Sequence, residues 1–200
     1  MHENYALVIG AVGVAQESHT VCGERFFTLP IEIQRLSGAV DRIQAMVPER
    51  LSPQTLSPGT RIMAEGQLRS YRKLEEGHRR LNVFLFVKYL QPIHGDTEDA
   101  NNVTLQGTLV KTPIYRKTPL GREICDLLLQ VPRGFGKSDV IPCIAWGANA
   151  ARCAMLQEGT TVCVTGRFQS REYQKADASG NIQTRTAYEM SIFDLTLLQP

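Results

Sequence analysis

Apolar and polar residues alternate along this chain in short runs that predict strands. Val103, Leu105 and Leu109 interleave with Thr104, Gln106 and Thr108, and Gly107 marks a bend or bulge. Phe27, Leu29, Ile31 and Ile33 form one apolar row, and Cys125, Leu127, Leu129 and Val131 form another of the same parity. A one-residue slip would turn either row to the opposite face, so shared parity implies a shared core face. Ile43, Ala45 and Val47 match Ile141, Cys143 and Ala145 as an inward row. Arg42 and Gln44 then face outward, and the same parity puts Trp146 in the outward row. Ala148 to Leu156 is alanine-rich and predicts a two-turn helix stopping before Gly159. The matching stretch holds Pro48, Pro53 and Pro58, which should reduce that helix to a turn. A long hairpin is expected from Gly166 to about Leu195, turning at Ala178-Ser-Gly-Asn181; a shorter one turns near Glu75-Glu-Gly77.

These paired patterns belong to an internal repeat. Gly10, Gly23, Arg35, Asp41, Gly59, Gly66 and Ser70 recur as Gly107, Gly121, Arg133, Asp139, Gly159, Gly166 and Ser170, at offsets of 97, 98, 98, 98, 100, 100 and 100. A period near one hundred residues is a whole domain, too long for a solenoid unit. We therefore expect copy one at residues 4–92, a polar acidic linker at 93–101 and copy two at 102–198. Five strands per copy, with a short helix between the third and fourth strands of copy two, give an all-β fold of two tandem OB-folds. These are five-stranded Greek-key barrels, partly open and suited to oligonucleotides.

Composition narrows the chemistry. Residues 1–101 carry 11 Lys+Arg and 12 Asp+Glu, hence −1; residues 102–200 carry 11 and 8, hence +3. A mixed solvated surface would give such a difference, and so would a polyanion-binding second copy. Five cysteines without a CxxC point to buried free thiols, with neither a disulfide framework nor a zinc site. The four histidines (His2, His19, His78, His94) fall in tails, loops or turns without metal-ligand spacing. Gly-Phe-Gly-Lys-Ser138 lacks the helix of a phosphate loop, and no serine elbow or HExxH occurs. No enzyme activity, cofactor or metal is expected. Neither a secretory signal nor a membrane span is legible, so a cytoplasmic, nucleoid-associated protein is expected.

Several strings of copy two carry a family resemblance: Asn102-Val-Thr-Leu-Gln-Gly107, Lys111-Thr-Pro-Ile-Tyr-Arg-Lys-Thr-Pro-Leu-Gly121, Leu127-Leu-Leu-Gln-Val-Pro-Arg133, Ile141-Pro-Cys-Ile-Ala-Trp-Gly147 and Gly166-Arg-Phe-Gln-Ser-Arg-Glu-Tyr173. Together they resemble the bacterial single-stranded DNA-binding proteins (SSB); copy one is similar mainly through copy two. The resemblance implies sequence-tolerant binding of single-stranded DNA in replication, recombination or repair. It also implies a homodimer carrying four OB-folds, a form known for tandem members. Family members commonly end in an acidic tip that recruits other enzymes. This sequence runs out at Leu197-Leu-Gln-Pro200, so recruitment by that route is not expected.

Binding unpaired strands needs rings for bases and cations for phosphates. Parity and resemblance together select Trp146 and Tyr173 as stacking residues, against the alternatives of a packing tryptophan and a solvent-lying tyrosine. Tyr115 beside Arg116 and Lys117, and Phe135 beside Arg133 and Lys137, interleave rings with cations. Lys111, Arg122, Arg167, Arg171, Lys175 and Arg185 complete the cations expected in copy two. Copy one offers Tyr71 among Arg69, Arg72, Lys73, Arg79 and Arg80. Arg35 and Arg133 end matched strands, where an ion pair is an equal alternative. A different class of protein, an OB-fold accessory that mainly holds a protein partner and binds DNA weakly, would fit the drifted copy one, whose Pro48 stands where copy two has Trp146.

Overall fold

A computed structural model describes residues 4–75, 78–176 and 182–198. The turn expected at 178–181, most of the one at 75–77, His2 and the side chains of Lys175 and His78 lie outside the described residues. Copy one runs β1 (Asn4–Val12), β2 (Gln16–Val21), β3 (Glu24–Gln34), β4 (Val40–Pro48), β5 (Arg61–Glu75) and β6 (His78–Pro92). Copy two runs β7 (Ala100–Leu109), β8 (Ile114–Lys117), β9 (Glu123–Arg133), β10 (Lys137–Trp146), α1 (Ala148–Cys153), β11 (Thr161–Ala176) and β12 (Ile182–Leu197).

Each copy closes on itself. In copy one, β1 pairs with both β3 and β5, β3 with β4, β4 with β6 in parallel, and β6 with β5. Copy two repeats this with β7, β9, β10, β12 and β11, again with a single parallel pairing. These are OB-fold barrels, and their interior holds the rows the alternation picked out. Leu29, Ile31, Ile43 and Val47 are buried in copy one, as are Leu129, Val131, Ile141 and Ala145 in copy two.

Glycines permit the sharp closure. A Cβ on Gly66 would lie 2.1 Å from the Phe86 carbonyl oxygen, and one on Gly166 would lie 1.9 Å from that of Ser191. Only a residue without a Cβ lets these hairpin strands cross so closely. A register shift accompanies each, between Glu65 and Gly66 and between Thr165 and Gly166.

The structure corrects several expectations. The first loop of each copy contains a short edge strand, β2 or β8, whose residues are all exposed and so show no apolar alternation. The helix ends at Cys153, so Gly159 does not cap it. Instead Gly159 (φ 84°) opens the turn before β11 and donates its N–H to the Leu109 carbonyl at 2.9 Å. Copy one replaces the helix with 3-10 turns at Glu49–Leu51 and Pro53–Thr55. β7 begins at Ala100, two residues inside the expected linker. Cys125, Cys143 and Cys153 are buried, but Cys22 is exposed.

Candidate nucleic-acid interface

The two barrels meet through the antiparallel pairing of β1 with β7, from Asn4↔Leu105 to Ile9↔Ala100. The register is symmetric: shifting Asn4 and Leu105 by the repeat offset of 97 yields the pair Asn101 and Val8, which is also observed. Side chains obey the same two-fold relation. Asn4 exchanges two hydrogen bonds with the Leu68 backbone (2.8 and 2.9 Å), and Asn101 does so with Phe168 (2.7 and 2.9 Å). Ser70 reaches across the seam: its N–H donates to Asp139 at 2.8 Å and its hydroxyl accepts the Val140 N–H at 2.8 Å. The Ser170 hydroxyl accepts the Arg42 N–H at 3.0 Å in the mirrored position.

A buried carboxylate at each seam site faces two guanidiniums. Asp41 takes two hydrogen bonds from Arg35 of its own copy, and Arg167 of the other copy lies 3.9 Å away. Asp139 lies 3.6 Å from Arg133, with Arg69 of copy one beside them. Burial first, and the neighbouring arginine second, lower the pKa of Arg69 and of Arg167, while the aspartates oppose this. One negative charge against two positive ones leaves each site cationic, which suits a phosphate-bearing ligand.

On copy two a groove of about 650 Å³ opens beside this seam, lined by Trp146, Phe193, Arg122, Arg167 and Arg171 among others. Trp146 closes β10 in the outward row and is 39% exposed. Phe193 is 54% exposed, with Arg167 placed 5.5 Å from its ring centre. It sits at the register shift, where Gly166 pairs with Ile192 and Thr165 with Asp194, leaving Phe193 unpaired. A bulge re-aims its extra side chain, and that is why Phe193 was missed by strict alternation. The visible sign is the two exposed residues Phe193 and Asp194 between buried Ile192 and Leu195.

The remaining expected residues divide by surroundings. Arg171 stands 5.8 Å from the half-buried Tyr173 ring and 3.6 Å from Glu189. Arg185 lies opposite Tyr173 on β12 and donates to Gln183 at 3.0 Å. Phe135, at positive φ in the β9–β10 turn, is fully exposed; with Lys137, Arg133, Arg69 and Lys88 it lines a second cleft across the seam. On β8, Arg116 is held by Asp126 at 2.6 and 3.2 Å, and Lys117 lies 3.6 Å from Glu123. The Tyr115 hydroxyl bonds Glu123, which raises its pKa. These edge-strand groups are tied to neighbouring carboxylates, unlike the loop cations the sequence suggested. Lys111 is exposed. In copy one, Tyr71, Arg72, Lys73 and Arg79 are exposed, while Arg80 crosses to the Thr186 carbonyl at 2.8 Å.

The "Single-strand binding protein family" profile matches residues 100–198. Single-stranded DNA-binding protein 2 of Listeria innocua is 33% identical over 96 residues, covering 44% of this chain and 60% of that protein. Single-stranded DNA-binding protein B of Bacillus subtilis is 33% identical over 84 residues, covering 38% of this chain and 74% of that protein. The match thus spans about three fifths of the first relative. The wild-type single-stranded DNA binding protein from Thermus aquaticus superposes with a TM-score of 0.78 at 20% identity, covering 100% of this chain and 94% of that one, which shows the two-barrel fold. Profile and relatives converge on copy two, and the chain belongs to the single-strand binding protein family.

Proposed function

We propose that this chain binds single-stranded DNA without sequence preference, coating unpaired strands during replication, recombination or repair. The observation that carries the reading is the copy-two groove, where Trp146 and Phe193 lie open between Arg122, Arg167 and Arg171. Flat rings accept any base and guanidiniums accept the backbone, so neither feature reads sequence. Tyr173, Phe135, Lys111, Lys137, Arg133 and Arg185 extend the surface on both sides, and Tyr115 with Arg116 and Lys117 borders it. The bound strand runs over the barrel faces and shields its bases from nucleases. Such a ligand places the protein in the cytoplasm with the chromosome; among the described residues no helix is long and apolar enough to cross a membrane. Self-association into a homodimer of four barrels is part of the proposal, supported by Tyr5 and Tyr89, both exposed and both beside Glu65 on the outer sheet face.

The test combines one fluorophore with one titration. Trp146 is the chain's only tryptophan, so its quenching by oligo(dT) reports the groove directly. Trp146→Ala should weaken binding by about 1–3 kcal/mol. Log K should fall linearly with log salt. Unquenched emission together with unchanged affinity would remove the stacking assignment. Light scattering with and without the strand measures assembly.

A further inference from the structure

None of copy two's five candidate rings has an aromatic counterpart in copy one; the unpaired Phe193 at its register shift corresponds to Lys88. By repeat offset and strand pairing, Trp146 corresponds to Pro48, Tyr173 to Lys73, Phe135 to Ser37 and Tyr115 to Glu17. Copy one nonetheless gathers Phe26, Phe84, Phe86 and Tyr71 on its outward face. Their counterparts in copy two are Ile124, Glu189, Ser191 and Arg171. The two sets of positions do not overlap.

The rings form two contacting pairs along one groove. Phe26 lies 6.1 Å from Phe86, and Tyr71 lies 5.8 Å from Phe84. His19 of β2 stacks on Phe26 at 5.2 Å with planes 11° apart. The Arg69 guanidinium sits 4.1 Å from the Phe86 ring centre, and its Nε has no hydrogen-bond partner among the described residues. These groups line a groove of about 650 Å³, matching the volume of the copy-two groove. Lys73 and the partner copy's Arg133 complete it, and no carboxylate is among the described residues lining it.

We propose that copy one holds the bases of a single nucleic-acid strand on these rings, with Arg69, Lys73 and Arg133 taking the phosphates. The proposal rests on the single-strand reading above and deepens it by assigning copy one its own site. Charge selects the occupant: three cations line the groove, with the single seam carboxylate Asp139 set against Arg69 and Arg133, and that excess of positive charge suits a polyanion. Continuity points the same way. Arg69 and Arg133 also line the seam cleft with Phe135 and Lys137, so one cationic path leads from copy two's turn onto copy one's rings. The rings of copy one thus sit on β3, β5 and β6, and its β4 terminus, the counterpart of the Trp146 position, holds Pro48.

A probe placed in copy one separates this proposal from the general reading. Tyr71→Trp in a Trp146→Phe background puts a lone indole at an exposed groove position. Titration with dye-labelled dT of about thirty bases, enough for more than one OB-fold, follows emission and anisotropy together. The expected result is saturable quenching at the concentrations where anisotropy rises. Phe86→Leu, which keeps the site apolar but removes the ring, should lower affinity about 5- to 100-fold, as loss of one stacked base does. Thermal melts confirm that both variants fold. Saturating anisotropy with unchanged emission, and wild-type affinity for Phe86→Leu, would overturn the copy-one site while leaving the general reading intact. No anisotropy change with the unaltered chain would overturn both.

Discussion

Replacing Asp139 tests the seam and the binding surface at once. Its carboxylate is about 1% exposed, accepts the Ser70 N–H at 2.8 Å and lies 3.6 Å from Arg133. Asp139→Ala removes a charge-assisted hydrogen bond, worth about 1.5–3 kcal/mol, and leaves two guanidiniums without their shared counter-charge. Breaking a buried pair costs about 3–5 kcal/mol when the survivor stays dry, but Arg133 is 30% exposed and keeps contact with water. The expected loss is therefore about 2–4 kcal/mol, between the hydrogen-bond figure and that of a fully dry pair. Asp139→Asn retains an acceptor for Ser70 and removes only the charge, so about 1–2 kcal/mol is expected. Urea denaturation followed by Trp146 emission and far-UV circular dichroism measures both. The same variants should bind oligo(dT) more tightly at low salt, with the log K against log salt slope steeper by about one phosphate contact. Stability within about 0.5 kcal/mol of wild type, together with an unchanged slope, would refute the two-arginine account of the seam.

Two further outcomes follow from packing and ionisation. Gly166→Ala forces a Cβ to 1.9 Å from the Ser191 carbonyl and should cost at least about 2 kcal/mol in a melt, whereas Gly134→Ala, with nothing within 4 Å, should stay within about 0.5 kcal/mol. Burial pushes the Cys125 and Cys153 thiols up to about 11 and raises Cys143 further. From the ordinary value of 9.0 up to about 11, the unfolded chain releases protons that the folded chain retains, so stability should fall as pH rises through that window. A thiol reagent at neutral pH should modify exposed Cys22 before half-buried Cys163 and reach buried Cys125, Cys143 and Cys153 only on unfolding; rapid labelling of any of those three in the folded chain would contradict this.

Strand parity was readable because side chains alternate with period two, and burial of Ile43, Ala45, Ile141 and Cys143 depends on little else. The position of Trp146 followed from the same count. Phe193 escaped because a bulge advances the register by one residue at a point where sequence shows only an ordinary apolar-polar mix. The copy-one rings were hidden for the opposite reason. Val83 to Val87 is apolar on both faces, which reads as a fully buried strand, yet Phe84 and Phe86 lie in its outward row. β2 and β8 carry no buried residue, so nothing in their pattern announced a strand. The pairing of Arg116 with Asp126 needed the register of β8 against β9, and Arg80 to Thr186 needed the placement of one barrel on the other.

The junction of β1 with β7 has an evolutionary corollary. When two separate polypeptides form such a continuous sheet, its occupancy depends on dilution, and every sequence change appears on both halves at once. Here a short tether (93–99) makes the encounter intramolecular, so the shared sheet assembles at any protein concentration. Each half also always meets the other kind and never its own duplicate across that junction. That guarantee lets the halves specialise independently, because neither has to remain compatible with itself.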